Sequence, residues 1–253
     1  MSVDPLPEEH EVDQELREER PPRWWVPALA VVVAAALLAL AIPGLLPGRS
    51  VSSGTAFAVA EGLLVTAAHV VQATETVTVY VEGRRYKGTV VARSTELDAA
   101  VVALPPGVGV VPLPLGDPLR LDWGEAVWAL GFPGGEPWPT AVGSEVVGVG
   151  WSAVGGDGSI LSGLVAVRAP FRPGFSGSPL LNGRGEVVGI VSGTLRGDGA
   201  GSLGFAVSAS RVRSWLQGRG VGLLAPASRE DQLSQTELSG LARRSVFRIE
   251  VRR

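Results

Sequence analysis

The sequence predicts an all-β domain, a sandwich or barrel, behind a single membrane-spanning segment. Three features carry this reading. Short Val-rich runs recur between residues 50 and 220, punctuated by Gly, Pro and Asp at the spacing of an all-β fold. Helical patterning within that stretch is confined to residues 209–217. Residues 24–48 contain no charge and are mostly Ala, Leu and Val.

Residues 1–23 are acidic and bear Pro5, Pro7, Pro21 and Pro22. With almost no aliphatic surface to bury they cannot offset their ordering entropy, and they read as a disordered tail. Residues 24–48 then read as a transmembrane helix, since about 20 apolar residues cross a hydrocarbon core. Trp24 and Trp25 suit one membrane interface, and Pro43, Gly44 and Pro47 mark the far end. Arg17, Arg20 and Arg23 precede the span whereas Arg49 alone closely follows it, which predicts a cytoplasmic N-terminus and an extracytoplasmic domain. Ala39-Leu40-Ala41 would fit a cleaved signal peptide, but the long acidic leader and the length of the apolar run favour an uncleaved anchor.

The predicted strands cover residues 56–60, 76–82, 88–92, 99–104, 126–130, 144–150, 164–168, 186–192 and 204–207. A helix over 209–217 has Ser208 or Ser210 available as its N-cap and Gly218 beyond its end. Residues 50–220 therefore form the main domain. Residues 221–253 add a helix announced by a Ser234-x-x-Glu237 capping box, and then an apolar run at 245–251.

Composition removes several function classes. The chain has 253 residues, a formal net charge of −3 and no Cys. Nucleic acid is not an expected partner without a basic face. Thiol nucleophiles, disulfides, zinc ribbons and iron–sulfur sites are excluded with the cysteines. Of the two histidines only His69 lies in the domain, so neither metal nor cofactor is expected. The single lysine, Lys87, argues against a Ser–Lys dyad or a Schiff base. Gly148-Val149-Gly150-Trp151-Ser152-Ala153 fits a dinucleotide fingerprint formally, but no helix begins there and a hairpin tip follows.

Three signals remain, each weak alone. His69 ends an apolar strand, Asp98 heads another strand where a charge is costly without a partner, and Ser176 sits between glycines in a tight turn. Together, in the order His–Asp–Ser, they supply a general base, the acid that orients it and a nucleophile. The strings around them resemble trypsin/chymotrypsin-like serine proteases: Thr66-Ala67-Ala68-His69 the histidine motif, Gly174-Phe175-Ser176-Gly177-Ser178-Pro179 the nucleophile motif, and Val188-Gly189-Ile190-Val191-Ser192 the cleft strand. Leu115-Gly116-Asp117, residues 124–131, Pro179-Leu180-Leu181-Asn182 and residues 203–207 resemble the HtrA/Deg branch in particular.

The resemblance covers about residues 52–217 and implies a two-barrel chymotrypsin-like fold with a C-terminal helix, acting as a serine endopeptidase on proteins or peptides. It implies a His69–Asp98–Ser176 triad, an oxyanion hole from the N–H groups of Gly174 and Ser176, and support of Asp98 by Ser192. Pro170, Ser192, Gly193, Thr194 and Gly204 would wall the substrate pocket. None is acidic, which disfavours a basic P1 residue and suggests a small or medium apolar one. Envelope protein quality control is a role the resemblance suggests, and a homo-oligomer is a state it leaves open.

Two positions depart from the pattern. Phe175 stands where relatives carry Asp or Asn, and Arg168 replaces an acidic residue. Phe175 keeps a second reading open, a catalytically silent domain that binds peptides or partners. The residues after Gly220 are too few for the PDZ module usual in such proteins. Ser245-Val246-Phe247-Arg248-Ile249-Glu250-Val251 is similar to the strand that relatives carry before their Ser-Gly-x-x-Phe strand. This predicts a circular permutation in which residues 245–251 fill the first-strand slot of the N-terminal barrel, of this chain or of another copy.

Overall fold

The computed structural model describes residues 51–252 apart from 73, 155–157, 159, 170, 198–200 and 227–231. The predicted tail, the predicted span and Pro170 lie outside the described residues. Among the described residues no helix is long and apolar enough to cross a membrane.

The described residues form twelve strands in two closed barrels. The first contains β1 (Val51–Ala60), β2 (Leu63–Thr66), β3 (Thr76–Val81), β4 (Arg84–Ser94), β5 (Ala99–Ala103) and β12 (Val246–Arg252). Its order is β1-β12-β3-β4-β5-β2, so the last strand of the chain lies between the first and the third. The second contains β6 (Ala126–Gly131), β7 (Thr140–Val154), β8 (Ile160–Val167), β9 (Pro179–Leu181), β10 (Val187–Gly197) and β11 (Gly201–Ser208), in the order β10-β11-β8-β7-β6-β9. Among the described residues two α-helices follow, α1 (Ala209–Gln217) and α2 (Gln235–Ser245).

Period-two alternation explains the first barrel. In β3, Val77, Val79 and Val81 are buried while the residues between them are not. In β12, Phe247, Ile249 and Val251 point inward and pack with Val77, Val79, Val90 and Val102. Each such side chain contributes about 1.5–3 kcal/mol by leaving water. β12 pairs antiparallel with β1 from Val51↔Arg252 to Phe57↔Val246, and with β3 at Arg248↔Tyr80 and its neighbours. Without it, β1 and β3 would present open edges.

The helices follow their apolar spacing. Ala209, Val212 and Leu216 of α1 are buried in the central cluster, as are Leu238 and Ala242 of α2. The capping box of α2 is closed in both directions, Glu237 N–H to Ser234 Oγ at 3.3 Å and Ser234 N–H to Glu237 Oε2 at 2.9 Å. Ser208 occupies the N-cap position of α1, but its hydroxyl lies 2.8 Å from Ser210 Oγ and caps no backbone N–H.

Strand ends differ from the sequence expectations where polarity conceals pairing. β4 starts at Arg84 rather than Gly88, because Arg84, Arg85 and Lys87 are exposed while their backbone pairs with β3. β7 is longer than expected at both ends, carried past Gly148 and Gly150 by shifts of register. The chain therefore remains a strand through the dinucleotide-like string, and no phosphate-binding helix begins there.

Candidate active site

β2 and β5 pair from Leu63↔Ala103 to Thr66↔Ala100, so their adjoining loops meet at one end of the first barrel. One loop continues into a single 3₁₀ turn, Ala68–Val70, which carries His69. The other ends at Asp98, whose N–H closes a turn on the Thr95 carbonyl at 3.1 Å. Asp98 adopts φ = 44°, a left-handed conformation that Asp tolerates better than most residues and that is typical of strained functional positions.

The Asp98 carboxylate is buried and fully engaged. It accepts the His69 backbone N–H at 3.0 Å, faces His69 Nδ1 at 2.9 and 3.0 Å through its two oxygens, and accepts the Ser192 hydroxyl on Oδ2. A buried anion is tolerated only with such partners. An Nδ1–H that donates to Asp98 leaves the lone pair on Nε2. The His69 side chain is 44% exposed, against 9% for Asp98.

Ser176 comes from the second barrel and reaches this end of the molecule through its backbone. Thr55 N–H donates to the Ser176 carbonyl at 2.9 Å. A Cβ at Gly54 would stand 3.2 Å from that carbonyl and 2.7 Å from Val70, the neighbour of His69. Among the described residues no hydrogen bond joins Ser176 Oγ to the His69 ring. Such contacts are often long before substrate arrives.

The loop around Ser176 is fixed peptide by peptide. Phe175 N–H bonds to Arg172 O at 3.1 Å, Gly177 N–H to Val191 O at 2.8 Å and Ser178 N–H to Phe175 O at 2.9 Å. The Thr55 hydroxyl donates to Gly174 O at 2.7 Å and accepts Phe132 N–H at 3.1 Å. Among the described residues neither Gly174 N–H nor Ser176 N–H donates to any group. Both donors are left open to an acceptor from outside the loop.

Glycine is required on both sides of the serine. Gly174 has φ = 100° and a Cβ there would lie 2.2 Å from Phe132 O. Gly177 has φ = 85° and a Cβ would lie 2.1 Å from Thr55 O. Phe175, the departure noted in the sequence, is 1% exposed and packs in the second barrel's core, its ring centroid 5.8 Å from that of Phe171. Apolar burial thus anchors the loop. Arg168 lies 3.9 Å from Glu145 with both side chains mostly exposed, an ion pair of little energetic weight.

Of the expected pocket residues, Ser192, Gly193, Thr194 and Gly204 lie along β10 and β11. Thr194 pairs with Gly204, and nothing lies within 4 Å of a Cβ built on Gly193. The Phe171 ring covers Gly204, where a Cβ would meet its Cε2 at 2.4 Å, and Thr194 Oγ1 donates to Phe171 O at 3.0 Å. Phe171 was not among the expected wall residues. Nor was Thr55, which is fully buried and whose partners Gly174 and Phe132 lie far along the chain.

Residues 54–190 match the family model described as a trypsin-like peptidase domain. The chain belongs to this family. The trypsin-like domain is homologous to serine proteases of the HtrA/Do type. It is 30% identical over 174 residues to serine protease Rv3671c of Mycobacterium tuberculosis, covering 66% of this chain and 42% of that protein. It is 34% identical over 176 residues to serine protease HTRA4 of Mus musculus, covering 66% and 34%. The chain thus spans well under half the length of these curated relatives. Among solved structures, the active form of the Rv3671c protease superposes with a TM-score of 0.59 at 29% identity, over 80% of this chain and 92% of that one. The HtrA-type protease AlgW with a decapeptide gives 0.56 at 25% identity, over 65% and 50%. The two-barrel trypsin-like peptidase has a chymotrypsin-like fold.

Proposed function

We propose that this trypsin-like domain is a serine endopeptidase anchored to a membrane by residues 24–48 and acting outside the cytoplasm. The observation that carries the chemical part is the Asp98 carboxylate, which engages His69 Nδ1 and leaves Nε2 as a base beside a loop with two open N–H groups. His69 takes the proton of the Ser176 hydroxyl as its oxygen attacks the scissile carbonyl. The Gly174 and Ser176 N–H groups receive the developing oxyanion. His69 then protonates the leaving amine, and a water molecule repeats the sequence on the acyl-enzyme. Asp98 and Ser192 hold the imidazole in place and stabilise its charged form.

Phe171 over Gly204 leaves little depth for a P1 side chain, which supports small apolar residues there. The uncharged span and the Arg residues before it support the anchor and its orientation. A place in envelope protein quality control rests on likeness to HtrA-type relatives, as does assembly into a homo-oligomer. The position of β12 between β1 and β3 supports a circularly permuted first barrel.

A silent peptide-binding domain is the second reading. It is favoured by buried Phe175 and by the lack of a Ser176–His69 hydrogen bond among the described residues. Active-site labelling separates the two. A fluorophosphonate should label the full chain in detergent micelles on Ser176, Ser176→Ala should abolish both labelling and cleavage of a peptide library, and the library should report small P1 residues. Cleavage retained by purified Ser176→Ala would overturn the endopeptidase assignment, and a wild-type chain that never labels would favour the silent domain.

A further inference from the structure

The peptide joining Pro173 to Gly174 bears one of the two open N–H groups. In a trans peptide the carbonyl and the N–H point in opposite directions, so whatever fixes the carbonyl also aims the N–H. Here the Pro173 carbonyl accepts the Gly134 N–H at 2.9 Å. Gly134 and Gly135 lie in a tight turn over residues 132–135, both with positive φ, and Gly135 N–H closes that turn on Phe132 O at 3.1 Å. Such a turn has little stiffness of its own.

Its outer end is held from the far terminus of the chain. Arg248 on β12 donates from Nη1 to Gly135 O at 2.7 Å. The guanidinium lies 3.9 Å over the Tyr80 ring and its same Nη1 stands 3.2 Å from Glu250 Oε1, while Glu250 Oε2 accepts the Tyr80 hydroxyl at 2.7 Å. The Arg248 and Glu250 side chains are only 19% and 21% exposed, so solvent screens this cluster weakly.

We infer that Arg248 is a positioning residue for the oxyanion hole. It acts through the Gly135 carbonyl, the 132–135 turn and the Gly134–Pro173 hydrogen bond to aim the Gly174 N–H. The C-terminal strand thereby couples closure of the first barrel to catalytic competence in the second. This rests on the reading of Gly174 N–H as an oxyanion donor. Lys at this position would restore a single donor toward Gly135 O without the planar fork, and Met would restore none.

The test compares the full-length chain with Arg248→Met and Arg248→Lys by steady-state cleavage and by hydrogen exchange in segments covering residues 132–135 and 76–81. In Arg248→Met, kcat should fall about 10- to 100-fold with KM within about threefold, a fraction of the loss expected when an oxyanion donor is removed outright. Exchange over 132–135 should quicken at least about tenfold while 76–81 stays within about twofold, and Arg248→Lys should recover part of both. Unchanged kcat, unchanged exchange over 132–135, or equal acceleration of both segments would overturn the inference. If the wild-type chain shows no turnover, the endopeptidase reading falls, and exchange over 132–135 alone decides whether Arg248 holds the turn.

Discussion

The two barrels hold their parts of the site in different ways. The first sets His69 and Asp98 within one neighbourhood: they are 29 residues apart, on loops adjoining paired strands, and three hydrogen-bonding contacts join them. The second presents Ser176 and two open N–H groups on a glycine-flanked loop that its own turns and buried Phe175 hold in part and that distant residues restrain as well. Thr55 reaches Gly174 across 119 residues and Phe132 across 77, and Arg248 reaches Gly135 across 113. The His69–Asp98 pair is thus a local construction, whereas the Ser176 loop is also restrained by the packing of one barrel against the other. Substitutions in the first class should remove chemistry and leave the fold, while those in the second should couple stability to turnover.

The largest effect should come from breaking the local pair. Asp98→Asn keeps the shape of the side chain but replaces one acceptor oxygen with an NH₂ group, so Nδ1 can no longer donate to both oxygens. The imidazole then favours the tautomer with its proton on Nε2, which cannot accept from Ser176. Turnover should fall on the order of 10⁴-fold. Thermal unfolding should move little, since the His69 backbone N–H can still find the remaining oxygen. A loss of less than tenfold, measured by single-turnover cleavage, would show that the pair does not act as base and orienter.

The cross-barrel restraint should cost less in rate and more in stability. Thr55→Val has nearly the same shape but strips the hydroxyl that serves both Phe132 N–H and Gly174 O. Each buried group left bare costs roughly 1–3 kcal/mol. We expect a clear loss in denaturant-measured stability together with a fall in kcat of about 10- to 100-fold, because Gly174 O and Phe132 lose their common anchor. Stability lost with kcat intact would mean that Thr55 only supports the fold.

The same division governs how much the sequence reveals. His69, Asp98 and Ser176 stand out because each differs in kind from its surroundings: a lone imidazole, an acid heading an apolar strand, a serine between glycines. The Ser234–Glu237 box is legible because capping is a short-range exchange of hydrogen bonds. Thr55, Gly134 and Arg248 are not legible as site residues, because their partners are chosen by three-dimensional packing rather than by neighbours in the chain. Phe171 is hidden for the same reason, since only the antiparallel return of β11 sets Gly204 beneath its ring. The full lengths of β4 and β7 escape the pattern because solvated arginines and glycines conceal continued backbone pairing.

The smallest expected effect lies wholly within the first barrel. The Tyr80 hydroxyl donates to Glu250 Oε2, and burial, followed by that hydrogen bond and the Glu250 charge, holds the phenol above its ordinary pKa of 10.0, against the opposing pull of Arg248 and Arg85. The folded chain therefore retains this proton more tightly than the unfolded chain. The associated stability is complete below about pH 10 and is lost as pH rises through the raised value. Tyr80→Phe keeps the ring under Arg248 and removes the titrating group. At pH 8 it should cost on the order of 1 kcal/mol, the scale of one hydrogen bond. Above pH 10 the gap between wild type and variant should narrow, because only the wild type loses a favourable proton. Denaturant unfolding at pH 8 and near pH 11 checks the sign directly. Parallel stability curves would mean that the Glu250 contact is too solvated to bind the proton preferentially, and that β12 is held by its apolar residues and backbone pairing alone.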